Sequence, residues 1–293
     1  VDTRIRVFAW LSFCAETIII ATGGAVRLTG SGLGCPTWPT CTPESLVPTP
    51  EMGIHGIIEF GNRMMTGLVG IIAGILLLLL LRIRRERRDL FALALIVVLG
   101  IVAQAIVGGI TVWTGLTPFI VGFHYMASLL LVCVCAAFLV RMHQSAGPRS
   151  LAVPRGFAIA AHITTLVLAL TIIFGVLTTG AGPHSGDKDS GRNGFNAELL
   201  EHVHAWPGYA LLVLTVVLLA IAWAKKLQPR HWLTALLGVV FVQIAVGLYQ
   251  ARNGLPEWAV GTHMVLAALT AATMTVVILR LKAPIARGHA EYV

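Results

Sequence analysis

The chain has 293 residues, of which 57% are hydrophobic and 12% charged, with a formal net charge of +8. A mean hydropathy of +0.84 leaves a soluble domain nowhere to hide its apolar surface. The charged residues are too few, and too confined to the ends of apolar runs, for a nucleic-acid footprint, so the excess of cations points to anionic lipid.

Eight apolar runs are long enough to cross a hydrocarbon core of about 30 Å. The first, near Val7–Ala25, follows Arg4 and Arg6. It resembles a signal peptide, but no small-residue cleavage site follows, so it reads as a retained helix. An outer segment, Val26–Gly56, comes next and contains Cys35-Pro-Thr-Trp-Pro-Thr-Cys41. Facing an oxidising compartment, this pair can form a disulfide, either as a structural staple or as a redox-active pair that exchanges with a thioredoxin-like thiol reductant. The second run, Ile57–Leu81, carries Glu59, Asn62 and Arg63; the third and fourth are Leu90–Val112 and Phe119–Val140, the latter with His124. Phe157–Thr178 is the fifth and holds His162 near its cytoplasmic end, where a polar packing role is expected. A second outer loop, Gly180–Glu198, leads to Leu199–Ala222 with Glu201, His202 and His204. Trp232–Tyr249 and Trp258–Leu279, the latter with His263, complete the set. Backbone in lipid must satisfy its own hydrogen bonds, so these runs are helices. Sixteen of the 21 Lys and Arg fall in the N-terminus, the C-terminal tail and the inter-run segments on the same side, which places both termini in the cytoplasm.

The chain also repeats itself. Gln104-Ala-Ile-Val-Gly108, Gly115-Leu116 and His124 are matched by Gln243-Ile-Ala-Val-Gly247, Gly254-Leu255 and His263, with twenty residues from Gln to His in both copies. Glu59…Asn62 is matched by Glu201…His204, and Thr29-Gly-Ser-Gly32 by Thr179-Gly-Ala-Gly182. The expected fold is therefore an all-α integral membrane protein, eight transmembrane helices forming two pseudo-symmetric four-helix bundles, residues 1–145 and 146–293.

Ten histidines need sorting. His143, His231 and His289 fall in cytoplasmic segments and read as solvated, and His184 lies in an outer loop. Asn62, His124, His204 and His263 each stand five residues into their runs, which puts them at one depth of roughly 7–8 Å. Ionisable side chains inside a membrane are functional candidates by default, and two imidazoles on facing helices can hold a haem iron axially. Zinc would need four ligands of the His, Cys or carboxylate kind, which neither half offers. The repeated carboxylates Glu59 and Glu201 sit almost one turn before Asn62 and His204, placed to orient an imidazole, accept a proton or stabilise a cation. His202 and His55 are alternative ligands, although His202 points to another face and His55 is expected in the loop. Cys14, Cys133 and Cys135 read as small packing residues.

Gly23–Cys41 (Gly-Gly-x-Val-Arg-Leu-Thr-Gly-Ser-Gly-Leu-Gly-Cys-Pro-x-Trp-Pro-x-Cys), the Glu59–Arg63 element and the helix-borne histidines resemble the haem A synthase family, over nearly the whole chain. The resemblance implies oxidation of the C8 methyl of haem O to the formyl of haem A, for cytochrome oxidase assembly, in a bacterial plasma membrane. It implies a resident haem b in the second half on His204 and His263. It further implies a substrate haem O site in the first half, with His124 as ligand, Glu59 important for catalysis, and Asn62 and Arg63 beside them. A haem O synthase would supply the substrate, and Cys35 and Cys41 match the outer-loop pair of bacterial members. The chain departs from the family at Asn62, where His is usual; either the substrate iron has one protein ligand or a residue such as His55 takes the place. The rival readings are a non-enzymatic bis-histidine membrane cytochrome, and a haem transporter or chaperone.

Overall fold

The computed structural model describes residues 1–285; His289 and the end of the C-terminal tail lie outside the described residues. Among the described residues, eight helices are long and apolar enough to cross a membrane. They are α1 (Thr3–Leu28), α2 (Gly53–Leu80), α3 (Arg88–Trp113), α4 (Pro118–Met142), α5 (Arg155–Ala181), α6 (Ala197–Ala224), α7 (Arg230–Arg252) and α8 (Glu257–Leu279). All eight expected runs are found, each beginning earlier than expected and six of them ending later. The helix α2 begins at Gly53, four residues earlier than expected, so His55 stands in its first turn and not in the loop. One element was not expected. A short antiparallel ladder pairs β1 (Arg149–Leu151) with β2 (Lys282–Pro284), in the register Ser150 to Ala283, and ties the segment between the halves to the end of α8. Three-residue strands carry no periodicity from which a sequence reading could recognise them.

Each half has its own core. Ile5, Leu76, Leu80, Leu90, Ala94 and Phe138 pack together from α1 to α4, and Val69, Val97, Ile101 and Leu131 form a second cluster of the same helices. Phe157, Leu168, Leu211, Leu218, Leu233, Leu236, Met274 and Val277 fill α5 to α8. A further cluster joins the halves, with Ile20 of α1, Leu129, Val132 and Ala136 of α4, and Ala268, Ala272 and Val276 of α8. Small residues on α4 and α8 let the two backbones approach, which is how helices associate in lipid where the hydrophobic effect gives no drive. Large apolar side chains such as Ile71, Leu78, Leu99, Leu130, Val213 and Phe241 are exposed, as a lipid-facing surface requires.

The repeated Gly-Leu dipeptide has a structural reason. Gly115 and Leu116 have φ of 61° and 60°, and Gly254 and Leu255 have 72° and 57°. The Leu116 N–H donates to Thr111 O at 2.8 Å and Leu255 N–H to Gln250 O at 2.9 Å. Both pairs close a helix with left-handed residues that satisfy its last carbonyls. The same turn thus delivers the chain into α4 and α8 at the same distance ahead of His124 and His263.

Candidate functional site

One cavity opens between the helices of both halves, and Asn62, His124, His204 and His263 all line it. They lie 9, 6, 7 and 6 residues from the starts of their helices. Asn62 is the outlier only because α2 projects an extra turn towards the outer loop.

The imidazoles of His204 and His263 face each other with ring centres 6.1 Å apart and planes at 79°. Two imidazoles on one iron space their centres by roughly 6 Å, from metal–nitrogen bonds of about 2 Å on each side plus the ring radii. The His204 Nδ1–H donates to the Thr171 carbonyl at 2.9 Å. That bond fixes the tautomer and leaves Nε2 with its lone pair free towards the cavity. Each ring rests on a glycine of the neighbouring helix. A Cβ at Gly175 would stand 2.8 Å from His204 Cε1, and one at Gly247 would stand 3.0 Å from His263 Cε1. The residues present fit a haem iron between His204 and His263.

The repeated glutamines support the histidine backbones. Gln104 Nε2 donates to the His124 carbonyl at 2.8 Å, and Gln243 Nε2 to the His263 carbonyl at 3.1 Å. Gln104 also donates to Ser128 Oγ. The twenty-residue spacing is the signature of this contact, a role that the sequence reading left unassigned. The buried Nδ1 atoms of His124 and His263 have no partner among the described residues.

The first half is built differently. His124 packs over Gly108, where a Cβ would stand at an ordinary 3.6 Å. Where the second half has His204, the first has Asn62, whose Oδ1 accepts from Thr22 Oγ1 at 2.7 Å. His55 does not line the cavity: it is exposed and pairs through Nδ1 with Ser31 Oγ at 2.9 Å.

Glu59 and Arg63 lie against the outer loop and are absent from the cavity lining. Cys35 and Cys41 form a disulfide, and both are 0% exposed. The Glu59 carboxylate accepts from the Cys35 N–H and pairs with Arg63. Arg63 in turn donates to the carbonyls of Cys35 and Thr40, both at 3.1 Å. Trp38 of the same loop lies on Gly109 of α3, where a Cβ would meet its ring at 2.5 Å, and edges onto Trp113. Gly34 lets the loop backbone touch the His55 carbonyl, so closely that a Cβ there would overlap it. The loop is therefore clamped onto the outer ends of α2 and α3 through the element that carries Asn62.

The expected equivalence of Glu59 and Glu201 does not extend to their surroundings. Glu201 is exposed on α6, because the second outer loop has no cysteine turn to seat on it. His202 is exposed as well, as are His162 and Cys14, which were expected to be packed. The two outer loops are joined by Arg27 of α1, which donates to His184 O at 2.8 Å and Thr179 O at 3.0 Å. Gly32 N–H adds a bond to Gly186 O. Among the described residues no group of three His, Cys, Asp or Glu is placed to hold a metal ion.

Residues 6–183 match the family described as Cytochrome oxidase assembly protein. A haem A synthase of Listeria monocytogenes is 24% identical over 271 residues, covering 90% of this chain and 88% of its own length. A haem A synthase of Bacillus cereus is 27% identical over 236 residues, 78% of this chain and 75% of its own. A match across more than half of the chain, over the helices that carry the clamped loop, Asn62 and His124, makes this chain a member of the cytochrome oxidase assembly protein family.

Proposed function

We propose that the chain is a haem A synthase, a membrane oxidoreductase that converts the C8 methyl of haem O to a formyl group. The observation that carries the reading is the broken pair on one cavity: opposed imidazoles in the second half, an imidazole and an amide in the first. A relay cytochrome would use two complete pairs, so the substitution of Asn62 favours an enzyme over that rival. Residues 146–293 hold a resident haem b on His204 and His263, and residues 1–145 receive haem O on His124. The bound haem supplies one-electron chemistry at its iron.

The protein's own contribution is positioning. Thr171 and Gln243 orient the resident pair, and Gln104 orients His124. Asn62 is held by Thr22 and offers no strong iron ligand, so the substrate is bound less firmly than the resident group and can leave once oxidised. The clamped loop covers the outer end of α2 and limits water there. Glu59 acts on this reading through the loop and Arg63, holding the element that presents Asn62.

The protein sits in the bacterial plasma membrane with both termini cytoplasmic and the cysteine loop outside. A haem O synthase supplies the substrate, and the product serves cytochrome oxidase assembly. Exchange of Cys35–Cys41 with a thioredoxin-like partner requires the loop to lift, since both cysteines are buried. The test of function is to give purified protein haem O with a reductant and air, and to follow the pigment by mass. Gain of one oxygen with loss of two hydrogens supports the assignment. Haem O recovered unchanged, with the resident haem in place, refutes it.

A further inference from the structure

One buried acid has no place in the scheme above. Glu16 lies in the middle of α1, 2% exposed, and its Oε1 has no hydrogen-bond partner among the described residues. A carboxyl group in the centre of a transmembrane helix is costly and is kept only with a use. Glu16 lines the same cavity as Asn62 and His124. On α1 the lining residues run from Glu16 through Ile20 and Gly23 to Arg27, so the backbone positions of Glu16 and Arg27 lie about 16 Å apart along the helix. Gly23 faces Asn62 between them. Near Glu16 the cavity wall is formed by Val69, Ile101 and Leu131, with Thr66, Gln104 and Ser128 about one turn nearer Asn62 and His124. The second half closes its own inner end with Leu168, Leu211 and Val240 and has no acid there.

The first-half site is therefore polar at both ends, with a cation at the outer loops and a hydrogen-bond acceptor at the inner end. A haem is polar in the same sense, with its propionates on one edge. Seated with propionates outward, it directs the opposite edge towards Glu16. Haem O carries there a hydroxylated farnesyl chain, where haem b has a vinyl group. We propose that Glu16 is the residue that selects the substrate haem, its carboxyl oxygen accepting the hydrogen bond of the chain hydroxyl. The apolar inner end at Leu168 suits a vinyl group, which explains how two similar halves of one chain take two different haems. The inference rests on the proposed haem A synthase reading. It follows the general rule that a site built to bond a hydroxyl rejects the analogue lacking it, because its polar group is left unpaired.

The experiment titrates the purified full chain, resident haem in place, with haem O and separately with added haem b, reading the new Soret absorbance. Wild type should prefer haem O by roughly tenfold to a hundredfold. Glu16→Leu should remove that preference while leaving the resident haem spectrum unchanged. Glu16→Gln, which keeps an acceptor oxygen, should retain most of it. Haem O with its hydroxyl methylated should bind wild type no better than haem b, a measurement that needs no variant. Preference that survives in Glu16→Leu, or methylated haem O that binds as tightly as haem O, overturns the proposal. Conversion of haem O by wild type is scored in the same samples: its absence sinks the underlying reading, whereas conversion with unchanged preference in Glu16→Leu sinks the selection role alone.

Discussion

Adding one methyl group at Gly175 should loosen the resident haem, and the structure fixes how much. The new Cβ would stand 2.8 Å from His204 Cε1 and 3.0 Å from Nδ1. Restoring an ordinary carbon contact of about 3.4 Å moves the ring away from α5 by about 0.6 Å. Thr171 lies on α5 one turn before Gly175, so the same movement stretches the 2.9 Å bond from Nδ1 to about 3.5 Å, the limit of a hydrogen bond. Loss of such a supporting bond typically costs about 10- to 100-fold in metal affinity. Gly247→Ala is the milder version, since its Cβ would meet His263 Cε1 at 3.0 Å and Nδ1 only at 3.5 Å. Gly108→Ala would find His124 at 3.6 Å and should be tolerated; Gly74→Ala, with nothing within 4 Å, is the control. All four changes raise helix propensity by about 1 kcal/mol, so a lower haem affinity cannot come from weakened helices. The assay is the rate at which purified holoprotein gives up its low-spin haem to excess apomyoglobin, with His204→Ala and His263→Ala marking complete loss. The expected order of haem loss is Gly175→Ala, then Gly247→Ala, then Gly108→Ala level with Gly74→Ala. Equal rates for Gly175→Ala and Gly74→Ala would refute the account of His204.

Two further outcomes follow from the same geometry. His124→Ala should abolish conversion of haem O and leave the second-half haem spectrum as in wild type, because His124 contributes nothing to the His204–His263 pair; full activity in this variant, measured by product mass, removes the first half from catalysis. Protein isolated without reductant should show Cys35 and Cys41 unreactive to thiol labels even after unfolding, and Glu59→Gln should speed reduction of the disulfide by added dithiothreitol several-fold, since the ion pair with Arg63 holds the loop over two cysteines of 0% exposure. An unchanged reduction rate would show that the clamp does not control access.

The helices were legible because lipid imposes one rule on every span: length and apolarity suffice, and eight runs gave eight helices. The His204–His263 pair was legible because a repeat that lands on polar residues inside apolar runs has few structural excuses. Other features were hidden for identifiable reasons. The early start of α2 was hidden because the residues ahead of Ile57 form no apolar run, yet Asn62 lines one cavity with His124, His204 and His263. Glu59 and Glu201 match in sequence offset, yet one is buried under a cysteine turn and the other is exposed, and no offset encodes what packs above it. Arg27 is readable as part of a motif, but its bonds to residues more than 150 positions away are not. Glu16 was open to recognition: an acid within Val7–Ala25 is visible in the sequence alone, and it is a signal of the kind that singled out the histidines.

Asn62→His brings the asymmetry of the halves to a direct test. Asn62 accepts from Thr22 and has room, since a Cβ on facing Gly23 would lie 3.9 Å from Oδ1. An imidazole there can donate its Nδ1–H to Thr22 Oγ1, whose own hydrogen is then given to the Ile19 carbonyl, and turn the Nε2 lone pair into the cavity, as His204 does by donating to Thr171. The substitution therefore supplies a second iron ligand without disturbing Glu59, Arg63 or the loop above them. If His124 alone anchors the substrate iron, the variant should gain affinity for haem O by about 10-fold or more, from a ligand oriented by its hydrogen bond to Thr22. Turnover should survive at a substantial level, because the substitution leaves His124 and its support by Gln104 in place. The measurements are haem O affinity by titration and haem A yield by mass, made on the same preparation. Tighter binding with retained yield fits a first half whose weaker ligation serves exchange of substrate and product. Tighter binding as a second low-spin haem with no yield would mean that the vacant ligand place is itself used in the chemistry. Unchanged binding would mean that the residue at this position does not face the substrate iron, and the reading of the broken pair would fall.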